Sequence, residues 1–202
     1  MRLLGVGDPG SEVPVVLDEF GQARDLRSVT SGISGDFFAD GGVRRVRDAL
    51  ADLPGVDVTG MRVGAPVARP GALVRIGLNY SDHAAETAAR PPAEPVVFMK
   101  ATNTVVGPDD TVLIPRTSTT TDHEVEPAVV LGATARYLDG PDDAAAVIAG
   151  YAISNDVGER DFQLTPTGVA LGANDFGYLR EGDVVELGVD RPGVQRQRIG
   201  QA

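Results

Sequence analysis

TDHEVEPAVVLG, residues 121–132, sets two glutamates one residue apart at the mouth of an apolar run. Side chains at i and i+2 of a strand share a face, so Glu124 and Glu126 point the same way, beside Ala128, Val129, Val130 and Leu131. At an effective dielectric near 20, two carboxylates about 6 Å apart repel by roughly 2–3 kcal/mol. Such a pair is tolerable if it is exposed on an edge strand, which Pro127 would mark, if it is protonated, or if a cation bridges it. A third carboxylate, Asp156, ends the strand-like run Tyr151–Ser154 in YAISNDVGERDFQ (151–163), where functional side chains often emerge. Three carboxylates and no cysteine suit a hard, oxygen-seeking ion: Mg2+, Mn2+ or Ca2+.

Working outward, the chain reads as a strand-dominated α+β protein. Its 202 residues are ample for a core, and 25 Gly with 14 Pro imply many turns between short strands. VPVVLDEFGQARDL (13–26) reads as strand, turn at Gly21, strand. DGGVRRVRDALADLPG (40–55) carries a helical stripe of Val43, Val46, Ala49 and Leu50, stopped by Pro54 and Gly55. VGAPVARPG (63–71) resembles a linker, which predicts a small N-terminal α+β domain over residues 1–70 and a main domain over 71–202. Strands are predicted in ALVRIGLN (72–79), EPVVFMK (94–100), DTVLIP (110–115), HEVEPAVVLG (123–132), AISND (152–156) and GDVVELGVD (182–190). Helices are predicted in SDHAAETAAR (81–90), capped by Ser81 or Asp82, and PDDAAAVIAGY (141–151), opening on Pro141.

Composition excludes several functions. With 29 acidic against 18 basic residues the net charge is −11, which disfavours a nucleic-acid partner and suits a cation. No cysteine means no disulfide, no thiolate zinc site and no thiol nucleophile. No apolar stretch approaches the roughly 20 residues a membrane helix needs. MRLLGVGDPGSEVP meets Gly and Pro too early for the apolar core of a signal peptide, so a cytoplasmic location is expected.

A second constellation lies in GLNYSDHAAET (77–87), where His83 and Glu86 sit at i and i+3 on the short helix. A carboxylate beside an imidazole orients it and raises its basicity, as a general base for water requires; a surface helix with an incidental contact is the alternative. His123, the other histidine, alternates away from both glutamates and reads as structural.

RIGLNYSDHAAET, EPVVFMKATNTVVGPDDTVLIP, DHEVEPAVVLG, AGYAISNDVGERDFQL and TPTGVALG follow one another in an order that resembles the fumarylacetoacetate hydrolase family, over about residues 70–202. The likeness is densest up to Leu164 and strongest to the branch acting on acylpyruvates and other 2,4-diketo acids. It implies a mixed β-sandwich or roll, usually a homodimer, with Glu124, Glu126 and Asp156 as metal ligands. It implies His83 and Glu86 as the dyad activating water, and Arg160 and Gln163 as substrate-holding residues. Lys100, in FMKA, falls on a family motif, with a structural role such as pairing with a carboxylate equally open.

The implied activity is hydrolysis of a carbon–carbon bond in a 2,4-dioxo acid, releasing pyruvate or a related acid. Related isomerases or decarboxylases of 2-oxo acids, and a shortened, non-catalytic member, are the alternatives. The last arises because a long segment that relatives carry between the equivalents of Leu164 and Thr165 is missing here. Its loss is expected to leave part of the strand Pro127–Leu131 uncovered, at roughly 1.5–3 kcal/mol for each large apolar side chain.

Overall fold

Val13–Leu17 (β2) is the apolar strand around which the N-terminal region is built: it pairs antiparallel with Arg2–Val6 (β1) on one side and Ala23–Asp25 (β3) on the other. The β2–β3 turn passes through Gly21 at φ 77°, a conformation that costs glycine little. Two short helices, Gly35–Ala39 (α1) and Gly42–Ala49 (α2), cover this sheet. The stripe on α2 packs as its spacing dictates. Val46 is fully buried with Val16, Leu26, Ile33, Phe37 and Leu53, and Val43, Ala49 and Leu50 lie against that cluster. In this computed structural model the described residues are 1–80, 92–164, 177–190 and 193–202.

The rest of the chain forms strand pairs. Leu73–Gly77 (β4) and Val96–Lys100 (β5) make one antiparallel ribbon, and Val125–Leu131 (β8) with Ile148–Asn155 (β9) another. Thr121–Asp122 (β7) pairs briefly with Gly158–Glu159 (β10), which runs into the helix Arg160–Leu164 (α4). Val184–Val189 (β11) pairs antiparallel with Gly193–Gln201 (β12), and β12 runs parallel to Val112–Ile114 (β6), placing Ile199 opposite Val112. Ile114, Leu179, Val185, Leu187 and Ile199 form a second buried cluster, separate from the first.

Two features depart from the sequence reading. The helix expected over residues 141–151 is confined to Pro141–Ala146 (α3), and Ile148–Tyr151 extend β9 instead. The pairing of Val130 with Gly150 and of Leu131 with Ile148 outweighs the weak helical preference of a β-branched and glycine-containing stretch. The strand β12 was not anticipated, because its inward side chains are Gln195, Gln197 and Ile199, so the alternation carries little hydrophobic signal.

Two close contacts join the N-terminal region to the rest. Arg62 reaches Glu12 and Asp110. A Cβ on Gly107 would stand 2.1 Å from the carbonyl oxygen of Val63, so only glycine fits there. On the outer face of the β8–β9 ribbon, Val129 and Leu131 are 53% and 59% exposed. The join after Leu164 lies at the edge of the described residues.

Candidate functional site

The β8–β9 register places Glu126 opposite Ser154, one residue short of where β9 ends and Asp156 begins. The backbone N–H of Asp156 donates to the carbonyl of Glu124 at 2.8 Å, which brings the third carboxylate beside the first two. Asp156 is buried, Glu126 half-buried and Glu124 more open. Glu124, Asp156, Phe98, Lys100, Gly158 and Glu159 line a cavity of about 200 Å3. That is smaller than the roughly 300–1,000 Å3 typical of drug-sized ligands and suits a small molecule.

Each carboxylate is held by a different cation. Arg75, from β4, ion-pairs with Glu126 through Nη1, donates from Nη2 to Ser154 Oγ at 2.7 Å, and places Nε 3.5 Å from Asp156 Oδ2. Lys100, from β5, forms an ion pair with Asp156 Oδ1 and donates to the Val157 carbonyl at 2.6 Å. Arg160 donates from Nε and Nη2 to Asp122 Oδ2 at 3.0 and 2.8 Å, and from Nη2 to Glu124 Oε1 at 2.6 Å. Among the described residues, therefore, no group of three His, Asp or Glu side chains is gathered around one point.

The electrostatics show what the carboxylates still lack. The Glu126 carboxyl is raised above its ordinary value of 4.5, mainly by burial, with Asp156 and Glu124 adding like-charge repulsion against the pull of Arg75 and Lys100. Asp156 Oδ1 is buried and is met by the Lys100 ammonium as an ion pair, with no hydrogen bond to it. An all-oxygen donor set with a buried carboxylate oxygen that no hydrogen bond engages fits a hard divalent cation. Glu159, on the cavity wall, accepts from the hydroxyls of Ser118, Thr120 and Thr121. Burial opposes its ionisation, but these three donors outweigh it and lower its carboxyl.

Of the residues expected from sequence, Glu124 and Asp156 share the cavity wall, Glu126 reaches Asp156 through Arg75, and Arg160 pairs with Glu124, but the three carboxylates do not meet at one point. Lys100 takes the carboxylate-pairing role. His83 and Glu86 lie outside the described residues; Gln163 belongs to α4, with its side chain outside them. His123 Nδ1 is 3.9 Å from Asp122 Oδ1, turned toward the acid preceding it. Asp122 and Arg75 were missed. The parity that links Glu124 to Glu126 extends back to Asp122, and a lone arginine inside an apolar strand needs a buried acid; both signals were present. A larger cleft, about 340 Å3, lies between α2 and the end of the β8–β9 ribbon, but no carboxylate or histidine lines it.

The family model described as fumarylacetoacetate (FAA) hydrolase C-terminal matches residues 72–173, the stretch that supplies every carboxylate and cation of this site. The chain belongs to the fumarylacetoacetate hydrolase family. A protein of Burkholderia multivorans, provisionally named a hydrolase, is 46% identical over 168 residues, covering 81% of this chain and 58% of its own length. The chain thus spans less than two thirds of such relatives. The fold matches a fumarylacetoacetate hydrolase from Exiguobacterium antarcticum at TM-score 0.76 and 19% identity, covering 100% of both chains. It also matches a Sphingobium maleylpyruvate hydrolase, solved with manganese(II) and pyruvate, at TM-score 0.73 and 16% identity, again covering 100% of both. At these identities the structural matches establish the family's fold.

Proposed function

We propose that this chain is a divalent-metal-dependent hydrolase that cleaves a carbon–carbon bond in small 2,4-dioxo acids, releasing pyruvate or a related acid. The observation that carries the reading is the placing of Glu124 and the buried Asp156 on one cavity wall, with Glu126 tied to Asp156 through Arg75. These three residues would hold the ion: Mg2+, Mn2+ or Ca2+. When bound, it supplies concentrated positive charge to the oxygens of a 2-oxo acid. The Sphingobium relative, which shares the fold, binds manganese(II) and pyruvate.

The chain's own residues do the rest. His83, oriented by Glu86, takes the proton of the attacking water. Arg160 and Gln163, on α4, hold the substrate beside the carboxylates, and Asp122 fixes the Arg160 guanidinium. Lys100 pairs with Asp156 and fixes the chain beside it through the Val157 carbonyl. A homodimer belongs to the same reading, supported by Val97, Met99, Val129, Leu131 and Tyr151, each more than half exposed.

The experiment is an acylpyruvate cleavage assay with Mg2+ or Mn2+, repeated with a chelator. Pyruvate release that the chelator abolishes supports the proposal. Product isomers without cleavage would instead identify a 2-oxo-acid isomerase, and carbon dioxide release a decarboxylase.

A further inference from the structure

Arg75 is the one charged side chain of β4, and its strand turns it inward: Leu73, Arg75 and Gly77 face the protein while Val74 and Ile76 face out. Its side chain is 11% exposed and lies between two of the three candidate metal ligands, ion-paired with Glu126 and Nε 3.5 Å from Asp156. Ser154, which faces Glu126 across β8 and β9, accepts from Nη2 and fixes the guanidinium in that place. A guanidinium remains charged at any pH a protein meets, so it cannot leave the site by losing a proton. The carboxylate oxygens it engages are those a divalent ion needs, and a second positive charge beside them repels that ion.

We propose that Arg75 is an internal counter-ion that competes with the divalent cation for Glu126 and Asp156. The metal-free site neutralises itself, and metal enters only as the guanidinium withdraws. This rests on the metal-binding reading above. It assigns Arg75 two effects of opposite sign. Without metal, the arginine stabilises the fold by pairing with two buried acids. With metal, it weakens binding. A purely structural arginine would have only the first effect, and its loss would loosen the metal site.

The test is titration of Mn2+ into the chain, followed by the electron paramagnetic resonance signal of the free ion. Wild type is compared with Arg75→Met, Arg75→Lys and, should the methionine variant fail to fold, Arg75→Gln. The neutral variant is expected to bind Mn2+ at least about 10-fold more tightly, while Arg75→Lys, which keeps the charge, stays near wild type. In parallel, the neutral variant should melt lower than wild type in chelator and gain more on adding Mn2+. Mn2+ binding that is equal or weaker in a folded neutral variant would overturn the competition and leave the metal site standing. Binding in none of the proteins would remove the metal site, and this inference with it.

Discussion

Arg62 Nε and Nη2 lie 2.7 and 2.6 Å from the two carboxylate oxygens of Asp110, closing a fork across 48 residues of chain. Nη1 of the same guanidinium reaches Glu12 Oε1 at 2.9 Å. One arginine thus ties the first sheet to the loop before β6. All three side chains are about three-quarters buried, so the contact is not a freely screened surface pair. Arg62→Ala is expected to cost about 1–3 kcal/mol in urea unfolding. Combining it with Asp110→Asn should cost clearly less than the sum of the two single changes, because both remove the same contact.

The same cluster predicts an acid limb. Hydrogen bonding to Arg62 is the main cause that lowers the Asp110 carboxyl below its ordinary 3.8. For Glu12, burial works against ionisation, but backbone N–H groups and Arg62 prevail and lower it below 4.5. Both groups are depressed in the folded state, so the unfolded chain takes up protons first as pH falls. Their stabilisation is therefore complete above the ordinary values and is lost as pH drops through the folded ones. Melting curves from about pH 5 to pH 2.5 should show the gap between wild type and Arg62→Ala narrowing steadily. A gap that widens on acidification would contradict this sign.

His83→Ala should leave Mn2+ binding nearly unchanged while turnover of an acylpyruvate falls by about 10²-fold or more. The histidine contributes no ligand in the proposed site and only a proton acceptor. Unchanged turnover would move the base elsewhere.

Lys100→Met tests the opposite wall of the site. Asp156 is 6% exposed, and Lys100 is its nearest cation. Removing this partner leaves the buried Asp156 with only the longer Arg75 contact, at about 1–3 kcal/mol. The loss should shrink when Asp156→Asn is introduced together with it, which double-mutant unfolding curves would show.

Legibility differed by element. The α2 stripe and the strands β2, β4, β5, β6, β8 and β11 followed from apolar spacing and Gly or Pro punctuation, which are local signals. The end of α3 did not, because Ile148–Tyr151 choose β9 only through pairing with β8, a partner that no local window contains. For β12 the difficulty was chemical: its buried side chains include Gln195 and Gln197, and Gln197 is satisfied by Asn155 and Gly107. The carboxylates of the site could be read from parity and motif. That Lys100 pairs with a carboxylate was also open to the sequence, but which acid Arg75 and Lys100 would meet was not, since both come from a different ribbon and reach Asp156 only in three dimensions.

The parallel pairing of β6 with β12 imposes an order on synthesis. The first buried cluster lies wholly within Val16–Leu53, so it can close early. The second cannot, because Ile114 must wait for Ile199. At about 5–20 residues per second, the interval between completing β8 and making Ile199 is on the order of 3–15 s. Throughout that interval the second cluster stays open, and the β8 strand presents Val129 and Leu131, which the finished fold also leaves exposed. Chains on one message are then close enough to pair through it.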